Sequence, residues 1–212
     1  MDILNFFGSI LKYAVFSLIY WYRVYMIFGK AKFLIAMPSL KSPIFSSSVI
    51  LMAEYKESGA LGFIVNLPTG TLVKDALDLL KIEHIQPLEI PILFGGPVQT
   101  DFFWAIHSPE FEGVSTIKVH DDFYLTSAQE IIPLLTDPTC PEVYFSGVGY
   151  SGWGADQLDR EIEEGSWWYG DFDLDLLFKT DSSKKWDHAF KSLGADPEHL
   201  VDFTNPLDPI IN

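Results

Sequence analysis

The chain has 212 residues, of which 48% are hydrophobic, 15% aromatic and 20% charged. This length predicts a single domain that buries roughly 70% of its unfolded surface, and the composition excludes disordered, collagen-like and coiled-coil proteins. The single cysteine, Cys140, excludes a disulfide framework and a cysteine-rich zinc site. The 14 basic and 29 acidic residues give a formal net charge of −15, which repels phosphate backbones and argues against direct nucleic-acid binding.

An apolar N-terminal extension, residues 1–29, differs in kind from the rest of the chain. Only ten residues separate Lys12 from Arg23, whereas a helix needs about 20 apolar residues to span a membrane. A cleaved secretory signal fits no better, because the segment lacks a basic N-terminus and a small-residue cleavage site. Three interpretations stay open: an in-plane or marginal membrane anchor through residues 1–25, a helix packed on the domain, and an upstream extension outside the mature protein, with Met26 as the true start.

Residues 30–201 are predicted to form one domain and residues 202–212 an extended tail. Apolar and β-branched runs bounded by glycine or proline predict strands at 33–37, 49–55, 61–65, 91–94, 102–107, 115–119, 122–125, 142–146 and 167–172. Apolar residues at helical spacing predict helices at 71–80, 127–135, 155–164, 174–178 and 186–193. Strands come in hairpin-like pairs and also alternate with helices, so the sequence predicts an α+β domain on a mixed sheet.

A glycine-rich segment, residues 147–152, reads Gly-Val-Gly-Tyr-Ser-Gly between a predicted strand and a predicted helix. This matches the G-x-G-x-x-G pattern of dinucleotide-binding proteins. However, Asp156 and Asp159 lie in the first turn of the following helix and oppose a pyrophosphate there, and no second βαβ half follows. The preferred interpretation is a tight turn that packs Tyr150 and Trp153.

The residue types that carry catalysis or bind metals show no diagnostic spacing. Ser151 misses the nucleophile pattern G-x-S-x-G because the last position is Trp153. Cys140 lies in an acidic loop that disfavours a thiolate, and the five histidines lack ligand spacing. The Asp-x-Asp-x-Asp run at 171–175 lacks the glycine and glutamate of a calcium loop, and its carboxylates are expected either to cap the helix at 174–178 or to be solvated. We therefore expect no catalytic residue, metal or cofactor that can be named from sequence.

The turn at 94–98, Phe-Gly-Gly-Pro-Val, is more informative, because two glycines before a proline imply unusual backbone angles or a close backbone approach. A structural turn is the default interpretation, and a ligand or partner contacted by exposed amides of Gly95 and Gly96 is the alternative. The second glycine-rich segment could border the same cleft. The candidate ligand- or partner-binding residues are Gly95, Gly96, Pro97, Tyr150, Ser151, Gly152, Trp153, Gln157 and Glu161.

Four motifs in order resemble the bacterial YqgE/AlgH family. They are FLIAMP at 33–38, GFIVNLP at 62–68, FGGPV at 94–98 and GYSGWGADQL at 149–158, followed by Glu161-Ile162 and Gly165-Ser166-Trp167. The resemblance covers about residues 30–201. It implies an α+β fold with a curled, barrel-like mixed sheet flanked by helices, and it implies no agreed enzymatic activity.

Two classes of function stay open. We expect a non-enzymatic, cytoplasmic binding or regulatory module that contacts an unidentified protein or small molecule. The alternative is an enzyme whose site is assembled from the two glycine-rich turns, with Glu161 or Asp156 near Ser151. A membrane-associated role through residues 1–25 is the third possibility.

Overall fold

A computed structural model describes residues 32–194; the interpretations of the N-terminal extension and of the tail lie outside the described residues. The strands are β1 (Lys32–Ala36), β2 (Val49–Lys56), β3 (Gly59–Ile64), β4 (Pro68–Leu72), β5 (Pro91–Phe94), β6 (Val98–His107), β7 (Ile117–His120), β8 (Phe123–Ser127), β9 (Val143–Gly154) and β10 (Trp167–Asp171). The α-helices are α1 (Val73–Leu80), α2 (Ala128–Ile131), α3 (Gln157–Glu163), α4 (Leu174–Phe178) and α5 (Ser182–Ser192), and a 3₁₀ turn (Ile132–Leu134) continues α2.

All ten strands join one sheet, in which β9 is the central strand. The main path runs β10-β1-β2-β3-β9-β6-β8-β7, and β5 joins it through β9 with β4 beyond. The first half of β9 lies between β5 and β6, and its second half pairs with β3. The β5–β9 pair is parallel, and the others are antiparallel. The predicted α+β class and mixed sheet are thus confirmed.

The sheet curls without closing into a barrel. Its path ends at β10 and β7, and no ladder joins these two strands among residues 32–194. Side chains nevertheless bridge the two ends across the inner face. Phe172, just after β10, lies against His120 of β7 with the ring centroids 4.8 Å apart, and against Phe123 of β8 at 5.7 Å. Aromatic packing therefore connects the two ends of the open sheet where no hydrogen-bonded ladder does.

Three apolar clusters follow from the alternation of side chains along the strands. Trp104, Phe63 and Phe123 are among the fully buried side chains of the inner face, which α4 and α5 cover. The outer face is divided in two: α3 packs over β1–β3 and β10, and α1 with α2 packs over β6 and the start of β9. Each cluster needs its helix, because the sheet alone would leave that face in water.

Four predicted elements need correction. Strand β6 begins at Val98, four residues before the strand predicted at 102–107. The segment 147–154 is not a turn but the continuation of β9, because both of its edges find hydrogen-bonding neighbours in β3, β5 and β6. The helix predicted at 71–80 begins at Val73, since 68–72 pairs with β5 as β4. Helix α5 begins four residues earlier than predicted, at Ser182. The predicted glycine stops are confirmed at Gly165 and Gly194, with φ of 75° and 77°.

Asp173 caps α4 as predicted. Its side chain accepts hydrogen bonds from the backbone N–H groups of Asp175 and Leu176, which satisfies two donors that a helix start leaves free. Within residues 32–194, no helix is long and apolar enough to cross a bilayer.

Helix α5 brings a lysine into the core. Lys185 is 2% exposed, and its ammonium group donates to the carbonyl of Val65 at 3.2 Å and lies 4.8 Å from the Phe145 ring centre. Burial lowers the pKa of Lys185 to about 8, opposed by the charge of Asp181. Trp186 fixes the same helix by donating to the carbonyl of Ala36 at 2.8 Å.

Lys185 predicts a pH-dependent stability. Between pH 8 and about 10.5 the Lys185 amine is protonated in the unfolded chain and deprotonated in the folded chain. The free energy of unfolding therefore rises with pH in that window, by up to about 3 kcal/mol. We expect Lys185→Met to remove this rise in urea titrations at pH 7 to 10.5. Lys184→Met, at the exposed neighbouring position, is the control that keeps it. Parallel pH profiles for the native chain and the Lys185→Met variant would contradict the prediction.

Candidate functional site

The two glycine-rich segments meet where the chain crosses its own central strand. Strand β5 pairs with one edge of β9, and β6 pairs with the opposite edge. Only residues 95–97 join β5 to β6, so this link passes directly over β9 at Gly149 and Tyr150. We call this place the crossing. Two backbones can approach so closely only where side chains are absent.

Hydrogen bonds and glycine geometry fix the crossing. The Gly95 N–H donates to Val148 O at 2.8 Å, and the Ser151 hydroxyl donates to Gly95 O at 3.1 Å. A Cβ on Gly95 would lie closer than 3.0 Å to Gly149 O, and one on Gly96 would overlap the Tyr150 carbonyl group. Gly96 has φ 148°, a region that residues with side chains rarely adopt. The close backbone approach predicted from the two glycines is present.

Trp104 covers the crossing on the inner face of the sheet. This fully buried indole donates to Gly149 O at 2.8 Å and packs edge-on against Phe63 with the centroids 4.9 Å apart. Its ring also lies so close to Gly147 that any Cβ there would overlap it. Gly147 therefore makes room for the indole, and Gly149 makes room for the crossing chain.

A second cluster, on the outer face, is centred on a carboxylate. Glu161 Oε2 accepts from the indole nitrogens of Trp153 at 2.9 Å and Trp167 at 2.8 Å, and its Oε1 accepts from Gln157 at 2.9 Å. Gln157 in turn accepts from the Gly154 N–H at 3.0 Å. These bonds tie α3 to β9 and β10.

The nine candidate residues thus fall into these two neighbouring networks along β9. The Gly95 amide, the Ser151 hydroxyl and the Glu161 carboxylate all make internal hydrogen bonds. Pro97 and Gly152 are the exposed members. The crossing is filled by backbone, so the Gly95 amide is not open to a ligand, and a binding role for the nine residues stays a prediction.

The concave site that sequence reasoning missed is an apolar groove on the outer face, between α1 and the α2–3₁₀ segment. Its floor comes from β5, β6 and β9, and its volume is about 270 Å³. We call it the α1–α2 groove. Its lining includes Val73, Ala76, Leu80, Phe103, Ala105 and Ile131.

Large apolar side chains around the groove remain in water. Leu80 is 66% exposed, Leu79 83% and Phe103 47%. Leu79 and Leu80 contribute to the apolar spacing that predicts the helix at 71–80, but Leu77 is the leucine of α1 that the structure buries. The available signal was this surplus of leucines: an eight-residue helix cannot bury Leu77, Leu79 and Leu80 against one surface.

The buried titratable groups elsewhere have structural partners. Burial lowers the pKa of His107, against the backbone bond to Ser108, and its ring bonds Ser108 O at 2.8 Å and Thr126 Oγ1 at 2.7 Å. Burial and the charge of Asp137 raise the pKa of the Cys140 thiol, which keeps it protonated at neutral pH. In the described part of the chain no three His, Cys, Asp or Glu side chains converge as a metal site requires.

The fold and these networks define an α+β protein built on one curled, mixed sheet. The family model described as AlgH-like matches residues 33–198. The chain is 36% identical to a UPF0301 protein of Photobacterium profundum over 174 residues, covering 79% of this chain and 93% of that relative. A UPF0301 protein of Vibrio cholerae is 37% identical over 174 residues, with the same coverage of both chains. The chain therefore belongs to the AlgH-like family, as its four motifs predicted.

Solved structures agree with this assignment. The solution structure of the AlgH protein from Pseudomonas aeruginosa superposes with a TM-score of 0.64 at 31% identity, covering 78% of this chain and 88% of that one. A crystal structure of a protein from Corynebacterium diphtheriae has a TM-score of 0.54 at 20% identity, covering 76% and 84%. The second likeness supports the fold alone.

The crossing predicts that Gly96 tolerates no side chain. Gly96→Ala would force a Cβ into the Tyr150 carbonyl at a strained backbone angle, so we expect a loss of at least about 3 kcal/mol in the free energy of unfolding. Gly154→Ala is the control, because its Cβ would meet only Gln157 Oε1 at 3.8 Å. Equal urea midpoints for the two variants would show that the crossing does not constrain the fold.

The outer cluster predicts a specific role for the Glu161 carboxylate. Glu161→Gln replaces one acceptor oxygen by an NH₂ group and leaves an N–H of the cluster unpaired, so we expect about 1–3 kcal/mol of destabilisation and a shifted tryptophan emission. Glu163→Gln, at an exposed position on the same helix, should change neither. The idea fails if both variants unfold at the same urea concentration as the native chain.

Proposed function

We propose that this protein is a binding module that recognises an apolar group of its partner in the α1–α2 groove. The observation that carries the proposal is the groove itself. It is a concave, apolar cavity of about 270 Å³, and Leu80 and Phe103 on its rim are exposed to solvent. Folding gains nothing from leaving such side chains in water, and exposed apolar patches mark interaction sites. A cytoplasmic location and a regulatory role are part of the proposal.

The polar groups of the groove support recognition by shape and apolar contact. Ser146 contributes the buried hydroxyl of the lining, and this hydroxyl donates to Trp104 O at 2.9 Å. Gln129 of α2 also lines the groove and is exposed. A ligand in the groove would therefore be held mainly by burial of apolar area, at roughly 25 cal/mol per Å².

The enzyme alternative draws no support from the geometry. Ser151 donates its hydroxyl to Gly95 O, and Glu161 accepts from two indoles and an amide. A nucleophile or base needs a free approach to the substrate, which these bonds do not leave. The membrane alternative rests on residues 1–25, outside the described chain.

The proposal predicts where an uncharged apolar dye binds. We expect Nile red to gain fluorescence with the full chain, and Ala76→Phe, which fills the groove from α1, to weaken the groove component of binding at least tenfold. Ala155→Phe makes the same change at an exposed position on the β9–α3 turn and serves as the control. Circular dichroism checks that both variants fold.

Two results would overturn the proposal. One is identical dye binding by the native chain and the Ala76→Phe variant, which places the dye elsewhere. The other is the same loss in both variants, which makes the effect one of surface hydrophobicity and not of the groove.

A further inference from the structure

The size of the α1–α2 groove decides what kind of group enters it. Pockets that enclose whole ligands usually have volumes of about 300–1,000 Å³, and this groove has about 270 Å³. Leu80 of α1 and Phe103 of β6 line the cavity and are still exposed to solvent, and Leu79, the neighbour of Leu80 on α1, is exposed as well. An occupant that matches both features inserts a few side chains and covers the rim with the rest of its surface.

The strands beneath the groove exclude an extended peptide. Strand β6 lies between β9 and β8, β9 between β5 and β6, and β5 between β4 and β9. Around the floor residues Ile92, Ala105 and Ser146 both edges of the strand are already paired, so a peptide that lies over them cannot add a strand to the sheet. A bound segment must satisfy its own backbone hydrogen bonds, and an amphipathic α-helix does so while presenting apolar side chains at i, i+3, i+4 and i+7.

The charge around the groove determines which charged residues the polar face of such a helix should carry. The two segments that build it, 66–107 and 128–146, contain eight acidic and two basic residues. One of the two bases, Lys74, is paired with Glu89 at 3.6 Å. Asp75 and Asp78 of α1 and Asp101 of β6 are exposed. This field attracts a basic partner and repels an acidic one.

We infer that the occupant of the α1–α2 groove is a basic amphipathic helix of a partner protein. The inference rests on the proposed function of the groove and adds its partner class. Two or three apolar side chains of the partner helix fill the cavity against Ala76 and Ala105, and its flanks pack on Leu80 and Phe103. Lysine or arginine beside the apolar stripe faces the carboxylates of α1 and β6.

Two synthetic helical peptides of 16 residues test this inference. Both carry leucine at i, i+3, i+4 and i+7; one has lysine at the flanking positions and the other has glutamate. Fluorescence anisotropy is measured with the full native chain and with two matched variants. Leu80→Ser removes an apolar contact on the groove rim, and Leu174→Ser makes the same change on α4, away from the groove, at a position that is 38% exposed.

We expect the lysine peptide to bind the native chain and Leu174→Ser equally, and to bind Leu80→Ser at least tenfold more weakly. The glutamate peptide should bind the native chain at least tenfold more weakly than the lysine peptide does, and added salt should narrow that difference. If the lysine peptide binds Leu80→Ser as tightly as it binds the native chain, its binding is due to diffuse charge attraction, and the inference is overturned. Equal binding of both peptides would overturn the assignment of a basic partner.

The result with Nile red separates this inference from the proposed function. If Ala76→Phe weakens dye binding and neither peptide binds, the groove is a site for apolar groups and the helical partner is wrong. If Ala76→Phe leaves Nile red binding unchanged, the groove binds no apolar group, and both the proposed function and this inference are wrong.

Discussion

The passage of the chain over its own central strand is the constraint on which the rest of this fold depends. Residues 95–97 carry the chain from one edge of β9 to the other, in contact with Gly149 and Tyr150. A shorter link could not reach, and any side chain on Gly96 would separate the two backbones. The cost in backbone entropy of the glycines is offset by hydrogen bonds from Gly95 and Trp104 that are shielded from water.

The crossing also fixes how the two halves of the sheet are related. Beyond it, β9 continues beside β3 and so joins the β10-β1-β2-β3 half to the half that contains β6, β8 and β7. The Gly95 carbonyl accepts from both Ile64 N–H and the Ser151 hydroxyl, so one oxygen connects β3 to the crossing. Because β5 and β6 are held on opposite edges of β9, the crossing also sets which strands form the floor of the α1–α2 groove.

Local patterns predicted what local forces determine. The strand at 91–94, the hairpin of β2 and β3, the cap at Asp173 and the glycine stops all depend on residues within one turn or one strand. The two glycines of the 94–98 turn even predicted a close backbone approach. The second glycine-rich segment was proposed as a neighbour of this turn, but the backbone contact between Gly96 and Tyr150 could not be predicted, because it joins segments more than fifty residues apart.

The errors have the same cause. The 147–154 segment has the composition of a turn, and glycine is unfavourable in strands, yet ladders on both edges make it part of β9. Tertiary pairing outweighs local preference there. Trp153, Gln157, Glu161 and Trp167 belong to the fourth motif and the segments that follow it, but their hydrogen-bonded cluster could not be predicted, because it forms only when α3 folds back on β10.

The groove is the part of the structure that folding alone does not explain. The inner face buries its largest side chains completely, including Trp104, Phe63 and Phe190, so the chain has no general difficulty in covering apolar surface. Helix α1 nevertheless leaves Leu79 and Leu80 in water beside carboxylates at Asp75 and Asp78. Serine or lysine at the leucine positions would keep the helix and improve solubility. Leaving this apolar rim in water makes the free energy of folding less favourable. A partner that covers the rim and carries charges complementary to the surrounding carboxylates would recover that free energy.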